Sequence, residues 1–125
     1  MGKSNARVLT EKDKAFKPLV YICAPYSGDK DRNIKKAIHY AELAYRNGAI
    51  PVTPHLLFPF MNDKDTNQRE DALFMDIILL GKCQEVWVFG SKITEGMKKE
   101  LEIAEKRKQV IKYFDSTSME VEINA

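Results

Sequence analysis

The sequence has no long hydrophobic run. Its apolar stretches stay far short of the roughly 18 residues that a membrane-spanning helix needs, so no membrane span is expected. Nor is there a strong bias to one charge. Twenty basic and eighteen acidic residues leave a net charge of +2, with both signs scattered, so no specific nucleic-acid binding is expected. Cysteine is scarce: Cys23 and Cys83 have no zinc-site spacing and suit a reducing cytoplasm better than a disulfide scaffold. The opening MGKSNAR lacks the apolar core of a signal peptide, and Ala6 stands where a myristoylation motif needs Ser or Thr. A cytoplasmic location is therefore expected. The chain has no G-x-G-x-x-G fingerprint, no phosphate-binding P-loop and no G-x-S-x-G elbow. Repeats and low-complexity linkers are also missing.

What remains is a globular composition. Hydrophobic residues make up 44% and charged residues 30% of 125, enough to bury one core but not two. Residues 1 to about 16 are polar and aperiodic, and read as a flexible N-terminal arm. Residues 17–125 read as a single domain.

Two periods alternate along that domain. Leu19 to Ala24 is a continuous apolar run, as a strand covered on both faces requires. From about Asp31 to Asn47, Ile34, Ala37, Ile38, Ala41, Ala44 and Tyr45 recur at helical spacing, and Asn47-Gly48 ends the helix. Ala49 to Thr53 reads as a second strand, placed at an edge or an end by Pro51. A long loop runs to about Thr66, and a second helix covers about Asn67 to Gly81. Glu85 to Gly90 is the clearest strand. A third helix covers roughly Glu95 to Lys108, and Gln109 to Phe114 forms a further strand. Met119, Val121 and Ile123 offer the alternation of a last one.

This order predicts an α/β fold, a three-layer flavodoxin- or Rossmann-like sandwich with a four- to five-stranded parallel sheet. Such sheets bind ligands at the carboxyl ends of their strands. The PYSGD, PHLLFPF and GSKITEG loops all follow strands and are expected to cluster on one edge.

Glu100 breaks the pattern of the third helix. With Gly96 at zero and about 100° per residue, it falls near 40°, inside the apolar sector and away from every other charge of that helix. A carboxylate turned toward a core costs several kcal/mol unless something pairs with it or uses it. The alternative is a boundary Glu that reaches water or an ion pair elsewhere. Asp76 stands alone in the apolar run ALFMDIILLG, either beside a partner, in a cleft or at a helix edge. Tyr21 lies in the first strand, and Tyr26, Ser27, Gly28 and Asp29 follow as a turn that offers backbone N–H groups to an anion. Thr94 and Gly96 open the third helix and offer a second such site. For the turn over Tyr26 to Asp29, an ordinary turn remains the alternative. His55 follows a strand, but no second ligand stands at metal spacing, so no metal site is expected. Tyr26, Phe58 and Phe60 either stack on a base or cover the sheet.

These elements together resemble the nucleoside 2-deoxyribosyltransferase-like superfamily, and more closely its small bacterial and phage branch, over about residues 19 to 114. VYICAPYSGD is similar to the opening strand and loop, with Tyr21 at the position of the active-site tyrosine. MDIILLGKCQEVWVF resembles the Asp-bearing helix and the strand after it, and Asp76 matches the Asp. TEGMKKELEIA resembles the catalytic helix, with Glu100 at the nucleophile and Ala104 four residues on. Thr94 and Gly96 match small residues that hold a 5′-phosphate in nucleotide-specific relatives.

The resemblance implies cleavage or transfer at the N-glycosidic bond of a 2′-deoxynucleoside or its 5′-monophosphate, with no cofactor. Glu100, Asp76 and Tyr21 would be catalytic. Tyr26, Ser27, Gly28, Asp29, His55, Thr94, Gly96 and Met97 would bind substrate. It also implies a homodimer or tetramer. Lys98 and Glu102 stand where relatives often carry Gly, and Glu95 adds a negative charge beside the Thr94 turn. These departures carry a second expectation: a module that binds a nucleotide or an ADP-ribose-like ligand without turning it over.

Overall fold

A computed structural model of the chain describes residues 10–11, 15–115 and the backbone of 120–121. The arm expected over residues 1 to about 16 lies largely outside the described residues, as do Met119 and Ile123.

The elements follow in the order β1 (Leu19–Cys23), α1 (Lys30–Arg46), β2 (Ile50–Val52), α2 (Thr66–Gly81), β3 (Glu85–Val88), α3 (Glu95–Lys106), β4 (Val110–Phe114) and β5 (Glu120–Val121). A short 3-10 turn over Pro54–Leu56 interrupts the loop between β2 and α2. The sheet order is β2-β1-β3-β4-β5, the flavodoxin-like arrangement. The first four strands run parallel, and β5 joins β4 antiparallel. A parallel fifth strand would need a crossover of a dozen or more residues. Only residues 115–119 separate β4 from β5, so the chain turns back. Pro51 does sit in an edge strand, where its missing N–H leaves no inner ladder bond unmade.

Strand alternation divides the core in two. Val20, Ile22, Trp87 and Phe89 face α1 and pack with Ala44, Tyr40 and Leu43. Tyr21, Cys23, Val86 and Val88 face the other way and pack with Leu80 of α2 and Met97, Leu101 and Ala104 of α3. Both faces of β1 and β3 are covered, which is why these strands read as continuous apolar runs. On the α1 side the rings of Tyr40 and Phe89 stack at 4.2 Å, and Phe89 stacks on Phe114 at 4.6 Å.

Each helix starts on a side-chain cap. Asp29 accepts from the Arg32 N–H, Asp65 from the N–H groups of Asn67 and Gln68, and Thr94 from that of Met97. These caps satisfy donors that have no partner inside the helix. At the opposite end of the sheet, the Gln109 amide donates to the carbonyls of Leu80 at 2.9 Å and Cys83 at 2.7 Å, tying the end of α2 to the start of β4.

Removing a cap and removing core volume should differ in cost. Asp65→Ala is expected to lower unfolding free energy by about 1 kcal/mol. Phe89→Ala, which empties the ring stack, is expected to lower it by about 3–5 kcal/mol. Urea denaturation at neutral pH measures both, and equal losses would contradict the packing described.

Candidate active site

The site grows from the α2–α3 face of the sheet. Glu100 lies two turns into α3, and its residue is only 8% exposed. The helix turns this carboxylate inward because Met97, Leu101 and Ala104 define the buried face around it. Across the gap, β1 presents Tyr21 and Cys23, two residues apart and therefore on the same strand face. The Tyr21 hydroxyl donates to Glu100 Oε2. The Cys23 thiol donates to Oε1 at 3.9 Å. Each carboxylate oxygen thus has its own donor from one strand.

Asp76, from the middle of α2, is the third acidic or phenolic group here. It is half-buried, and its Oδ1 is buried without a hydrogen-bond partner among the described residues. Its negative charge acts on both Glu100 and Tyr21. Burial pushes the Asp76 carboxyl up to about 7. Burial also pushes Glu100 up to about 7; the Tyr21 and Cys23 hydrogen bonds oppose the rise, and the charge of Asp76 adds to it. Tyr21 is held far above the usual phenol range, first by burial and then by Glu100. The Cys23 thiol rises for the same two reasons. The phenol and the thiol therefore stay protonated and act as donors, while the two carboxyl groups titrate near neutrality.

The loop after β1 is held from two sides. His55 donates from Nε2 to the Pro25 carbonyl at 2.9 Å, and burial keeps its pKa below the usual histidine value. Its Nδ1 is buried without a hydrogen-bond partner among the described residues. The Tyr26 ring meets the His55 ring edge-on at 5.2 Å. Lys30 lies 5.5 Å over the Tyr26 ring and pairs with Asp63 at 3.7 Å, linking this loop to the one after β2. Gly28 takes a φ of +99°, a conformation that side chains with a Cβ rarely adopt. Ser27, Gly28 and Asp29 are exposed, and Asp29 is engaged as the α1 cap.

The sequence-predicted residues thus divide into groups. Glu100, Tyr21 and Asp76 come together. Tyr26 and His55 meet each other at the loop. Thr94 caps α3, Gly96 is exposed beside open space, and Met97 is 1% exposed, packed in the core cluster with Tyr21 and Cys23. Sequence reasoning missed Cys23 as a partner of Glu100. Its signal was the two-residue strand spacing from Tyr21. Among the described residues, no group of three or more His, Cys, Asp or Glu side chains is arranged to hold a metal ion, and no helix is long and apolar enough to cross a membrane.

The fold is the one seen in 2-deoxyribosyltransferases. The chain superposes on the 2-deoxyribosyltransferase of the psychrotolerant bacterium Bacillus psychrosaccharolyticus with a TM-score of 0.64 at 14% identity, over 85% of this chain and 77% of that one. It is also similar to the Leishmania mexicana enzyme named 2-desoxiribosyltransferase, with a TM-score of 0.57 at 16% identity, over 79% of this chain and 65% of that one. Identities this low speak for the fold alone. No curated protein matches the sequence. Residues 18–114 match a family described as a domain of unknown function (DUF7768), and the chain belongs to that family.

Buried carboxyl groups leave a mark on stability. Glu100 has a raised pKa in the folded protein, so folding binds a proton there across the interval above the unfolded value. Its favourable contribution is complete below about pH 4 and is lost as pH rises through about 7. Glu100→Gln cannot titrate. Its stability relative to the parent is expected to grow by about 3 kcal/mol between pH 4 and 8. Urea unfolding across that range tests this, and a difference independent of pH would contradict the burial of an ionisable carboxyl.

Proposed function

We propose that the protein cleaves, or transfers at, the N-glycosidic bond of a 2′-deoxynucleoside or deoxynucleoside 5′-monophosphate. The observation that carries this reading is the Glu100 carboxylate, buried on α3, oriented by two donors from β1 and close enough to Asp76 to feel its charge. A structural carboxylate in an apolar layer is costly, and its presence calls for a use.

In this reading ionised Glu100 attacks C1′ of the sugar. The bond to the base breaks, its electron pair leaves with the base, and an ester joins C1′ to Glu100. The transition state is oxocarbenium-like, so the carboxylate also stabilises positive charge on the ring. Asp76, protonated by virtue of its raised pKa, gives its proton to the departing base. Tyr21 holds Oε2 and directs the attack; Cys23 engages Oε1. In the second step water, in a hydrolase, or a second base, in a transferase, bonds to C1′; the C1′–Glu100 ester bond breaks to restore the carboxylate, and Asp76, left ionised by the first step, takes the proton that the incoming group loses. In this reading neither route needs a metal or an organic cofactor.

The fold shared with 2-deoxyribosyltransferases supports the same reading. We also propose a cytoplasmic location, which the two free buried cysteines suit. We also infer self-association. Phe74 and Ile78, one turn apart on the outer side of α2, are 65% and 47% exposed. Covering such a patch is a usual function of an interface. A Phe74→Glu, Ile78→Lys variant is expected to run as a monomer where the parent runs as a dimer or tetramer. Light scattering at micromolar concentration decides this, and a monomeric parent would overturn it.

Two experiments test the reaction. Glu100→Ala, folded by circular dichroism, is expected to lower base release from a panel of deoxynucleosides and their monophosphates roughly a thousandfold or more. Tyr21→Phe is expected to lower it about ten- to a hundredfold, as loss of a hydrogen bond to a charged group implies. Parent-like rates in Glu100→Ala would reject the nucleophile. Attack needs ionised Glu100 and departure needs protonated Asp76, both shifted to about 7. The pH profile of kcat/KM should therefore be a narrow bell centred near neutrality. A flat profile between pH 5 and 9 would contradict the paired roles. Tight ligand binding with the ligand recovered intact would favour the non-catalytic nucleotide or ADP-ribose-like module instead.

A further inference from the structure

Two acids share the α2–α3 layer, and the reaction requires them in opposite states. Glu100 must carry the charge and Asp76 the proton. Burial favours the reverse. Glu100 is 8% exposed, whereas Asp76 is half-buried. Desolvation penalises the charged form most where water is most excluded, so burial alone would leave the proton on Glu100. Yet both carboxyl groups are raised to the same value, about 7. Something offsets the deeper burial of Glu100.

The offset comes from β1. Tyr21 donates to Oε2, and the Cys23 thiol donates to Oε1 at 3.9 Å. A donor favours the ionised form of the carboxyl that accepts from it. Asp76 has no counterpart. Its Oδ1 is buried without a hydrogen-bond partner among the described residues, and burial is what raises its carboxyl. An unpartnered buried oxygen is costly in a charged group, so Asp76 is the better place for the proton. The groups that act on Glu100 are Tyr21, Cys23 and Asp76, and no cation is among them. Two further titratable groups pack in the same cluster. Cys83 donates to the Leu79 carbonyl at 3.4 Å, and burial raises both its thiol and the Tyr113 phenol of β4, so both stay neutral. Cys23 is wholly buried at the end of β1, opposite Val88 in the ladder with β3. Central strand pairing, not a loop, therefore fixes its place.

We propose that Cys23 is a positioning residue for the reaction: with Tyr21 it gives both oxygens of Glu100 a donor while Asp76 Oδ1 has none, and so it steers the charge to Glu100 and the proton to Asp76. The role in turnover rests on the function proposed above; the effect on the two acids does not. A pair that holds one proton has two arrangements. In the productive one Glu100 attacks and Asp76 protonates the base. In the other the nucleophile is blocked and the acid has no proton to give. A thiol is a weak donor, but between acids so closely matched it shifts the ratio of the two arrangements by about two- to fivefold. No bond to sulfur forms or breaks. Burial and the neighbouring Glu100 hold the thiol well above its usual value, so it keeps its proton and acts only through Glu100.

Carboxyl ¹³C NMR of the full chain, labelled at the side-chain carboxyl carbons of Glu and Asp, tests the pairing without turnover. Glu100→Gln and Asp76→Asn assign the two signals by their loss. Cys23→Ala removes the donor, and Cys23→Val removes it while filling the space. In both variants Glu100 is expected to titrate at higher pH than in the parent and Asp76 at lower pH, with their relative proton affinities changed about two- to fivefold. Looser packing that admits water would instead lower both. Raman spectra of the unaltered protein supply a measurement that needs no variant. Of the two thiols, that of Cys23 should show an S–H stretch that falls in frequency as Glu100 ionises between pH 5 and 8, while that of Cys83, bonded to a carbonyl, should not move. Two S–H bands independent of pH, or carboxyl signals that stay put or move together in both variants, overturn the proposal. In base release, both variants should lower the maximum of the kcat/KM bell about two- to fivefold, and parental maxima in both overturn the role in turnover. Opposed carboxyl shifts with no base release from any compound remove the glycosidic reading and leave the effect on the two acids standing.

Discussion

A carboxylate in an apolar layer governs the architecture of this protein. Glu100 sits among Met97, Leu101 and Ala104, where an ionised group loses most of its hydration. The fold answers with two donors on one strand, a phenol on one oxygen and a thiol on the other. Both donors are themselves buried and held in their protonated forms, so they do not compete with the carboxylate for charge. Desolvation nevertheless prevails, and the group titrates near neutrality. Asp76 enters the same balance from α2 and is itself raised by burial. Two acids poised at one pH, on helices that pack against each other, form a unit in which one proton and one charge can coexist.

The two faces of the sheet share the work unequally. The α1 face is closed by stacked rings and carries no acid in its core cluster. The α2–α3 face carries the acidic group and the polar partners that stabilise it. At the carboxyl edge the loops after β1 and β3 join the faces, and an open cleft lies there, lined by both loops and by α1.

Much of this was legible before any coordinates. Two periods of hydrophobicity located β1, α1, α2, β3, α3 and β4, with boundaries within a few residues of those observed. Pro51 marked an edge strand for a local reason, the missing N–H. Glu100 stood out because a helix has one buried face and this charge fell on it. Asp76 was harder to place, because α2 is apolar nearly all round. The structure explains that composition: Leu80 faces the core while Phe74 and Ile78 face outward. The antiparallel turn into β5 followed from a short connection that periodicity does not weigh.

The sequence by itself determined which side chains turn inward, because periodicity is a local property and burial follows from it within a single helix or strand. Tertiary structure alone decided what those side chains meet. Tyr21 and Cys23 are 79 and 77 positions from Glu100 along the chain, and only the parallel pairing of β1 with β3, together with the packing of α3 beneath them, brings their donors to its two oxygens. The cleft has the same origin: its walls come from α1 and from two loops that meet only because β1 and β3 are neighbours.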